Sequence, residues 1–361
     1  MVPSGGYKNI WFLKGKRNSN RDKELIINKM IINNTMTINS TINSLLEALI
    51  VIGPLLGSIA YVTIAERKIM GSMQRRIGPN KVGYYGLLQA FADALKLLVK
   101  ELVLPSNTDK ILFVLAPMIS LVCGLLVWTL IPYGKGLVIA DFSLGIVTIL
   151  AISSVAAYGI ILAGWASNNK YSFIGSLRAT AQLISYEVVF GLIILLVIFF
   201  VGSFNLTAII ESQKAIWYII PLFPIALMFL IAILAESNRA PFDLPESESE
   251  LTAGFMTEYS AFPFVFFFLA EYGAIVFLST LSSILFLGGY LIPGVESNGL
   301  MTGLSIGFKT SFILFLFIWI RASFPRLRYD QLMSAIWSKM LPVVIAFSIL
   351  IPCIIKAFEI Y

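Results

Sequence analysis

Residues 179–201 read ATAQLISYEVVFGLIILLVIFFV, an apolar stretch that carries one acid, Glu187. A helix needs about 20 such residues to cross the roughly 30 Å hydrocarbon core of a bilayer, whereas a barrel strand needs about 9–11. In lipid, a helix has the further advantage that it pairs every backbone amide within itself. The stretch therefore predicts a membrane-spanning helix.

The whole chain has the composition of an integral membrane protein. Of its 361 residues, 58% are apolar and 13% are charged, compared with about 45–50% and about 25% in soluble domains. We predict an all-α, polytopic membrane helix bundle of about eight transmembrane helices. The predicted spans are Ser44–Ala65, Ile111–Ile131, Leu144–Trp165, Ala179–Val201, Ile216–Leu234, Tyr259–Leu287, Leu304–Ile320 and Leu341–Ala357. We expect residues 44–361 to form a single transmembrane domain, preceded by a polar, mobile N-terminal extension at residues 1–43.

Lys and Arg are concentrated in the connectors that follow the odd-numbered spans. The opposite connectors and the C-terminus carry Lys135, Lys214 and Lys356. By the positive-inside rule, this asymmetry places the odd connectors in the matrix or the cytoplasm. The basic N-terminal extension departs from the rule. In the first connector, Leu87–Glu101 has an amphipathic pattern that predicts a helix lying along the membrane surface.

The chain contains few residues that bind metals. It has no histidine, and its two cysteines, Cys123 and Cys353, both lie inside apolar runs. This excludes a His-ligated haem, a Cys-ligated iron–sulfur cluster and an ordinary zinc site within this chain. We therefore assign it no metal ligand and no catalytic residue, and in any redox reaction the electron carriers are expected on other subunits.

Three acids lie in or at the end of consecutive predicted spans, and they are Glu187, Glu236 and Glu271. A charge at a helix centre costs roughly 2.5–3.5 kcal/mol. For one acid alone, a structural role, either as the partner of a cation or as a protonated group that joins two helices, is about as well supported as a functional role. The three together favour a polar path, because protonatable carboxylates inside a bundle mark proton or ion routes.

The connector at residues 235–250 reads AESNRAPFDLPESESE and lies between two membrane-length apolar stretches. An acidic turn that caps the next helix would account for Glu248. It would not account for Arg239 and Asp243, which stand beside two prolines in an otherwise apolar setting. The connector is therefore expected to be a site, a partner surface, or both.

Four long stretches give the chain a specific resemblance. They are TIAERKIMGSMQRRIGPNKVGYYGLLQAFADALKLLVKE (63–101), GWASNNKYSFIGSLRATAQLISYEV (164–188), AESNRAPFDLPESESELTAGFMTEYSAFPFVFFFLAEY (235–272) and WIRASFPRLRYDQLMSAIW (319–337). Together they closely resemble a family of complex I membrane subunits, which comprises subunit 1 of the mitochondrial NADH–ubiquinone oxidoreductase and its bacterial counterpart. The resemblance covers residues 44–357, nearly the whole chain except the N-terminal extension.

The resemblance implies a multi-pass subunit of the mitochondrial inner membrane, at the heel of an L-shaped complex. Its implied substrate is ubiquinone, with no covalently bound cofactor, because flavin and iron–sulfur clusters belong to partner subunits. The implied partners are hydrophilic subunits of the quinone module on the matrix side, small and antiporter-like membrane subunits, and the lipid bilayer. No nucleic acid is expected.

The resemblance also implies roles for individual residues. The positions that match the quinone chamber are Glu66, Arg67, Arg76, Asp93, Arg239, Asp243, Glu246, Glu250, Tyr272 and Arg321. The acids that match the proton path are Glu187, Glu236 and Glu271. The implied function is to couple quinone reduction to proton translocation. Pro263 departs from the family pattern, and a proline there can kink the sixth span.

Two other functions use the same residues. The first is a stand-alone ion transporter, which is disfavoured because no internal repeat is evident. The second is the membrane anchor of a related hydrogenase-type complex that has no quinone. The closeness of the mitochondrial-type motifs argues against the anchor.

Overall fold

The computed structural model describes residue 46 and residues 48–244, 252–292 and 299–357. The chain divides into two compact units, Met1–Val51 and Ile52–Tyr361. In the first unit, the described part is the beginning of a long helix. The predicted N-terminal extension lies outside the described residues.

Every regular element in these described ranges is helical. The helices are α1 (Ala48–Met73), α2 (Gln89–Val99), α3 (Lys110–Leu126), α4 (Gly145–Ala166), α5 (Lys170–Val201), α6 (Leu206–Ser212), α7 (Phe223–Glu236), α8 (Ala261–Phe286), α9 (Gly299–Ser323), α10 (Tyr329–Ser334) and α11 (Leu341–Ala357). A 3-10 turn extends α3 to Leu130, and a π-helical segment, Ala335–Met340, joins α10 to α11. The predicted polytopic helix bundle is thereby confirmed.

The fifth predicted span, Ile216–Leu234, differs from the rest. Seven helices in the described residues are long and apolar enough to cross a membrane, but α7 has 14 residues, or about 21 Å at 1.5 Å per residue. The first part of the predicted span forms turns instead of helix, because Pro221 and Pro224 lack the amide hydrogen that a helix interior needs. The turn is paired instead with the end of α8, where the amide of Ile219 donates to the carbonyl of Phe286 at 3.0 Å.

Two polar side chains stabilise this irregular end of the bundle. Gln213 is buried, and its amide nitrogen donates to the carbonyl of Ile284 at 2.8 Å. The ammonium of Lys309 donates to three carbonyls that follow α8, those of Leu287, Gly289 and Leu291, at 2.7–2.8 Å. A cation at a helix C-terminus satisfies carbonyls that have no partner within the helix. Lys309 is thus a structural residue in spite of its place inside a membrane span.

The core of the unit lies around α5 and α8, which are the most deeply buried of the long helices. Phe190 on α5 stacks on Phe229 of α7 at 5.3 Å, and Phe229 contacts Phe286 of α8 at 5.1 Å between ring centroids. Pro263 lies in the first turn of α8, where an amide hydrogen would have no partner within the helix. It therefore leaves α8 continuous over its 26 residues.

Small residues bring neighbouring helices close together, as is common in membranes. Gly159 on α4 faces α3 so closely that a Cβ there would collide with the hydroxyl of Ser120 and lie 3.0 Å from the carbonyl of Ala116. At Gly191 on α5, an added Cβ would have no neighbouring atom within 4 Å. The two positions therefore form a matched pair for testing the packing.

We expect Gly159→Ala to force α3 and α4 apart and to lower the amount and heat stability of the assembled protein, at a cost of about 1–3 kcal/mol. Gly191→Ala should be neutral or slightly stabilising, because alanine favours a helix by up to about 1 kcal/mol over glycine. Thermal inactivation of solubilised membranes measures the stability of both variants. Equal stability of the two variants would contradict the close α3–α4 contact.

Candidate functional site

One buried carboxylate joins three helices and a connector. Glu66, on α1, accepts a hydrogen bond from the hydroxyl of Tyr272 on α8 at 2.7 Å. It also pairs with Arg321, in the last turn of α9. The guanidinium of Arg239, in the connector after α7, lies 3.7 Å from the same carboxylate. We call these four residues the Glu66 cluster.

The Glu66 cluster contains two guanidinium groups and one carboxylate. Glu66 and Arg239 are 6% and 7% exposed, so both are shielded from water. The guanidinium of Arg239 also lies 4.2 Å from the ring centroid of Tyr272, which is cation–π distance. A small cleft of about 20 Å³ opens between these side chains and apolar residues of α9.

A second ion pair holds the connectors after α7 and α9 together. Asp243 pairs with Arg326 at 3.0 Å, and the carbonyl of Pro241 accepts from the amide of Leu327 at 3.0 Å. Arg326 was not among the predicted site residues. It lies in one of the four motifs, but its charge was attributed to membrane topology, and no local pattern singles it out from its basic neighbours.

The remaining predicted chamber residues are distributed differently. Arg67 pairs with Asp93 of α2 at 3.0 Å, and the pair is half-exposed. The side chain of Arg76 contacts Gln74 at 2.7 Å, in an exposed turn after α1. Glu246 and Glu250 lie outside the described residues. The structure therefore brings together Glu66, Arg239, Tyr272 and Arg321, and it places Asp93 with Arg67 in a separate ion pair.

Two of the three predicted path acids line one cavity. Glu236 and Glu271 lie in the walls of a mostly apolar cavity of about 150 Å³ between α3, α4, α5, α7 and α8, which has room for several water molecules. Glu187 bonds to the hydroxyl of Ser154 on α4. Glu187 and Glu236 are also close enough to repel each other when both are ionised. The three acids thus form a group across consecutive long elements.

Comparison with known proteins gives consistent matches. The NADH dehydrogenase family model matches residues 46–352. NADH-ubiquinone oxidoreductase chain 1 of Mycosarcoma maydis is 57% identical, over 89% of this chain and 98% of that protein. Chain 1 of Podospora anserina is 55% identical over the same shares. The corresponding membrane subunit of the NADH-quinone oxidoreductase of Rhodospirillum rubrum is 51% identical, over 82% of this chain and 89% of that protein.

The fold and the buried cluster define a polytopic helical membrane subunit with a charged site at one end of its bundle. The chain belongs to the NADH dehydrogenase family, together with the mitochondrial relatives named chain 1 and their bacterial counterpart. It is a multi-pass protein of the mitochondrial inner membrane and a subunit of NADH–ubiquinone oxidoreductase. The resemblance inferred from the four motifs is confirmed.

The two ion pairs of α1 should differ greatly in importance. Glu66→Gln removes the charge between two arginines, and breaking a buried pair in this way typically costs about 3–5 kcal/mol. Asp93→Asn removes an exposed pair, which is worth about 0–1 kcal/mol. We expect the first variant to lose most assembled complex and the second to retain it, as measured on native gels of membranes. Comparable losses would show that the Glu66 pairing is not the stronger constraint.

Proposed function

We propose that this chain forms the membrane-side part of the chamber in which ubiquinone is reduced. The observation that carries the proposal is the Glu66 cluster, in which two arginines and a tyrosine meet on one buried carboxylate at the end of a membrane bundle. The names of the relatives, which include ubiquinone or quinone, support this function over that of an anchor for a hydrogenase-type complex.

The chemistry of the cluster suits a quinone headgroup. The two carbonyl oxygens of the headgroup accept hydrogen bonds, and they gain negative charge as electrons arrive. Guanidinium groups donate such bonds. Positive charge that is already in place stabilises the reduced oxygens without reorganisation. Arg239 and Arg321 supply guanidinium donors, while Glu66, which accepts from the hydroxyl of Tyr272, holds the two arginines in position.

An apolar surface for the quinone tail lies beside α1 and α2. Tyr61 of α1 and Phe91 of α2 meet edge to face at 6.3 Å, and Leu95 and Leu98 are more than half exposed on α2. An isoprenoid tail is favourably transferred from water to such a surface. In the assembled enzyme, α2 then forms one wall of an apolar entrance to the chamber.

The other components of the reaction belong to partner subunits. Hydrophilic subunits on the matrix side bring electrons through flavin and iron–sulfur clusters, and they dock on the basic connectors after the odd spans. Small and antiporter-like membrane subunits pack against the bundle. The ion pair of Asp243 and Arg326 holds the connectors after α7 and α9 together. These connectors face the docked hydrophilic subunits, so the pair helps to shape the chamber.

We also propose that Glu187, Glu236 and Glu271 form a path for protons from the chamber towards the antiporter-like subunits. The cavity between Glu236 and Glu271 offers room for water between carboxylates. Quinol formation takes up two protons, and interacting acids exchange protons as a coupled group. The path would link this uptake to proton translocation.

Arg239→Met and Asp243→Asn test the chamber. Each should lower NADH–ubiquinone activity severalfold, because the cluster or its connector loses a charge. NADH oxidation by hexacyanoferrate should survive, since this chain holds no flavin or cluster and that acceptor draws electrons upstream. Activities are normalised to assembled complex. Equal loss of both activities in fully assembled enzyme would count against the chamber.

Glu187→Gln, Glu236→Gln and Glu271→Gln test the path, since each keeps the size of the side chain and removes its proton-binding site. If the acids relay protons, each variant should assemble yet lose most coupled NADH–ubiquinone turnover and proton uptake in vesicles. If they only join helices, the changes should be nearly silent, because Gln forms interhelical hydrogen bonds worth roughly 0.6–2 kcal/mol as well. Near-normal turnover in all three variants would reject the relay.

A further inference from the structure

A buried amide on α5 bonds to the connector that carries Arg239. Gln182 is fully buried, and its amide nitrogen lies 2.8 Å from the carbonyl of Ala235 and 2.9 Å from that of Phe242. It also lies 3.2 Å from the side-chain oxygen of Asn238. Carbonyl oxygens only accept hydrogen bonds, so the nitrogen of Gln182 must be the atom that faces them.

The bonded segment has little regular structure of its own. Between Ser237 and Leu244 the chain makes turns, in which the amide of Arg239 donates to Leu234 at 3.3 Å and that of Phe242 donates to Arg239 at 2.8 Å. Buried carbonyls of irregular backbone need hydrogen-bond partners from neighbouring elements. Gln182 supplies such a partner both before and after Arg239 along the chain.

We propose that Gln182 is a positioning residue for quinone reduction, which holds the connector so that Arg239 reaches Glu66 and Tyr272. It does not touch the substrate and acts through Arg239. The proposal rests on the proposed chamber function. Its geometry is specific because Gln182 contacts residue 238, immediately before Arg239, and residue 242, immediately before Asp243. Both charged residues of the described connector therefore depend on one amide.

Gln213 provides a control for a purely structural role. It is also a buried amide, 1% exposed, whose nitrogen donates to a main-chain carbonyl, that of Ile284 at 2.8 Å. It lies before α7, whereas the connector held by Gln182 follows α7. Gln182→Met and Gln213→Met therefore remove similar bonds, the first to the end of α7 and its connector and the second to α8, and only the first removal reaches the Glu66 cluster.

The test measures kinetics of the assembled enzyme with a short-tailed ubiquinone analogue. We expect Gln182→Met to raise its KM about three- to tenfold, the effect of losing about one hydrogen bond, with a smaller change in kcat. Gln213→Met should lower heat stability and leave KM unchanged. Asn238→Gly, which suits the positive φ of 50° at that position, should raise KM less than Gln182→Met does. Equal KM changes for Gln182→Met and Gln213→Met would overturn the proposal.

A double variant separates this proposal from the chamber itself. If Gln182 acts through Arg239, Gln182→Met combined with Arg239→Met should have the KM of Arg239→Met alone, because residues that act together are not additive. A KM in the double variant that equals the product of the two single-variant changes would overturn the positioning role. If Gln182→Met does not assemble, Asn238→Gly decides, and an unchanged KM there overturns the proposal. Normal quinone kinetics in Arg239→Met would instead refute the chamber.

Discussion

The carboxylate of Glu66 is the constraint on which this end of the molecule depends. It is bound by two guanidinium groups and a phenol that come from α8, α9 and the connector after α7. A buried ion pair adds little net stability over apolar packing, but losing one partner is costly. The cluster therefore contributes mainly geometry, because α8, α9 and the connector are correctly placed only when their side chains meet on one carboxylate.

The opposite end of α7 solves a similar problem with uncharged and cationic groups. There Gln213 and Lys309 bond to main-chain carbonyls left open by turns and by the end of α8. Gln182 does the same for the connector after α7. The shared requirement is that buried carbonyls of irregular backbone must find hydrogen-bond partners on neighbouring elements. Two arginines meet on one buried carboxylate at the end that follows α7, which is why that end is the candidate site.

Apolar length was enough to predict the long helices but overestimated the fifth span, and it could not predict where charged side chains point. The first span was predicted to end at Ala65, whereas α1 continues to Met73. Glu66 and Arg67 are therefore successive helical residues about 100° apart, so Glu66 is buried while Arg67 turns outward to Asp93. Motif matching identified both residues without separating them. Arg326 and Gln182 were missed because their roles arise from contacts between distant segments.

The connector after α7 is short, so it keeps Arg239 of the Glu66 cluster close along the chain to Glu236, one of the proposed path acids. Glu236 and Arg239 are three residues apart, so their Cα atoms are at most about 11 Å apart. Two unit charges about 10 Å apart, at an effective dielectric constant of about 20, interact by about 1.7 kcal/mol, which is more than one pKa unit. Under the proposed function, a charge that develops within about 10 Å of the Glu236 carboxylate would therefore alter proton binding at that acid without any large movement. The fixed position of the connector, which Gln182 supplies, would set the strength of that coupling.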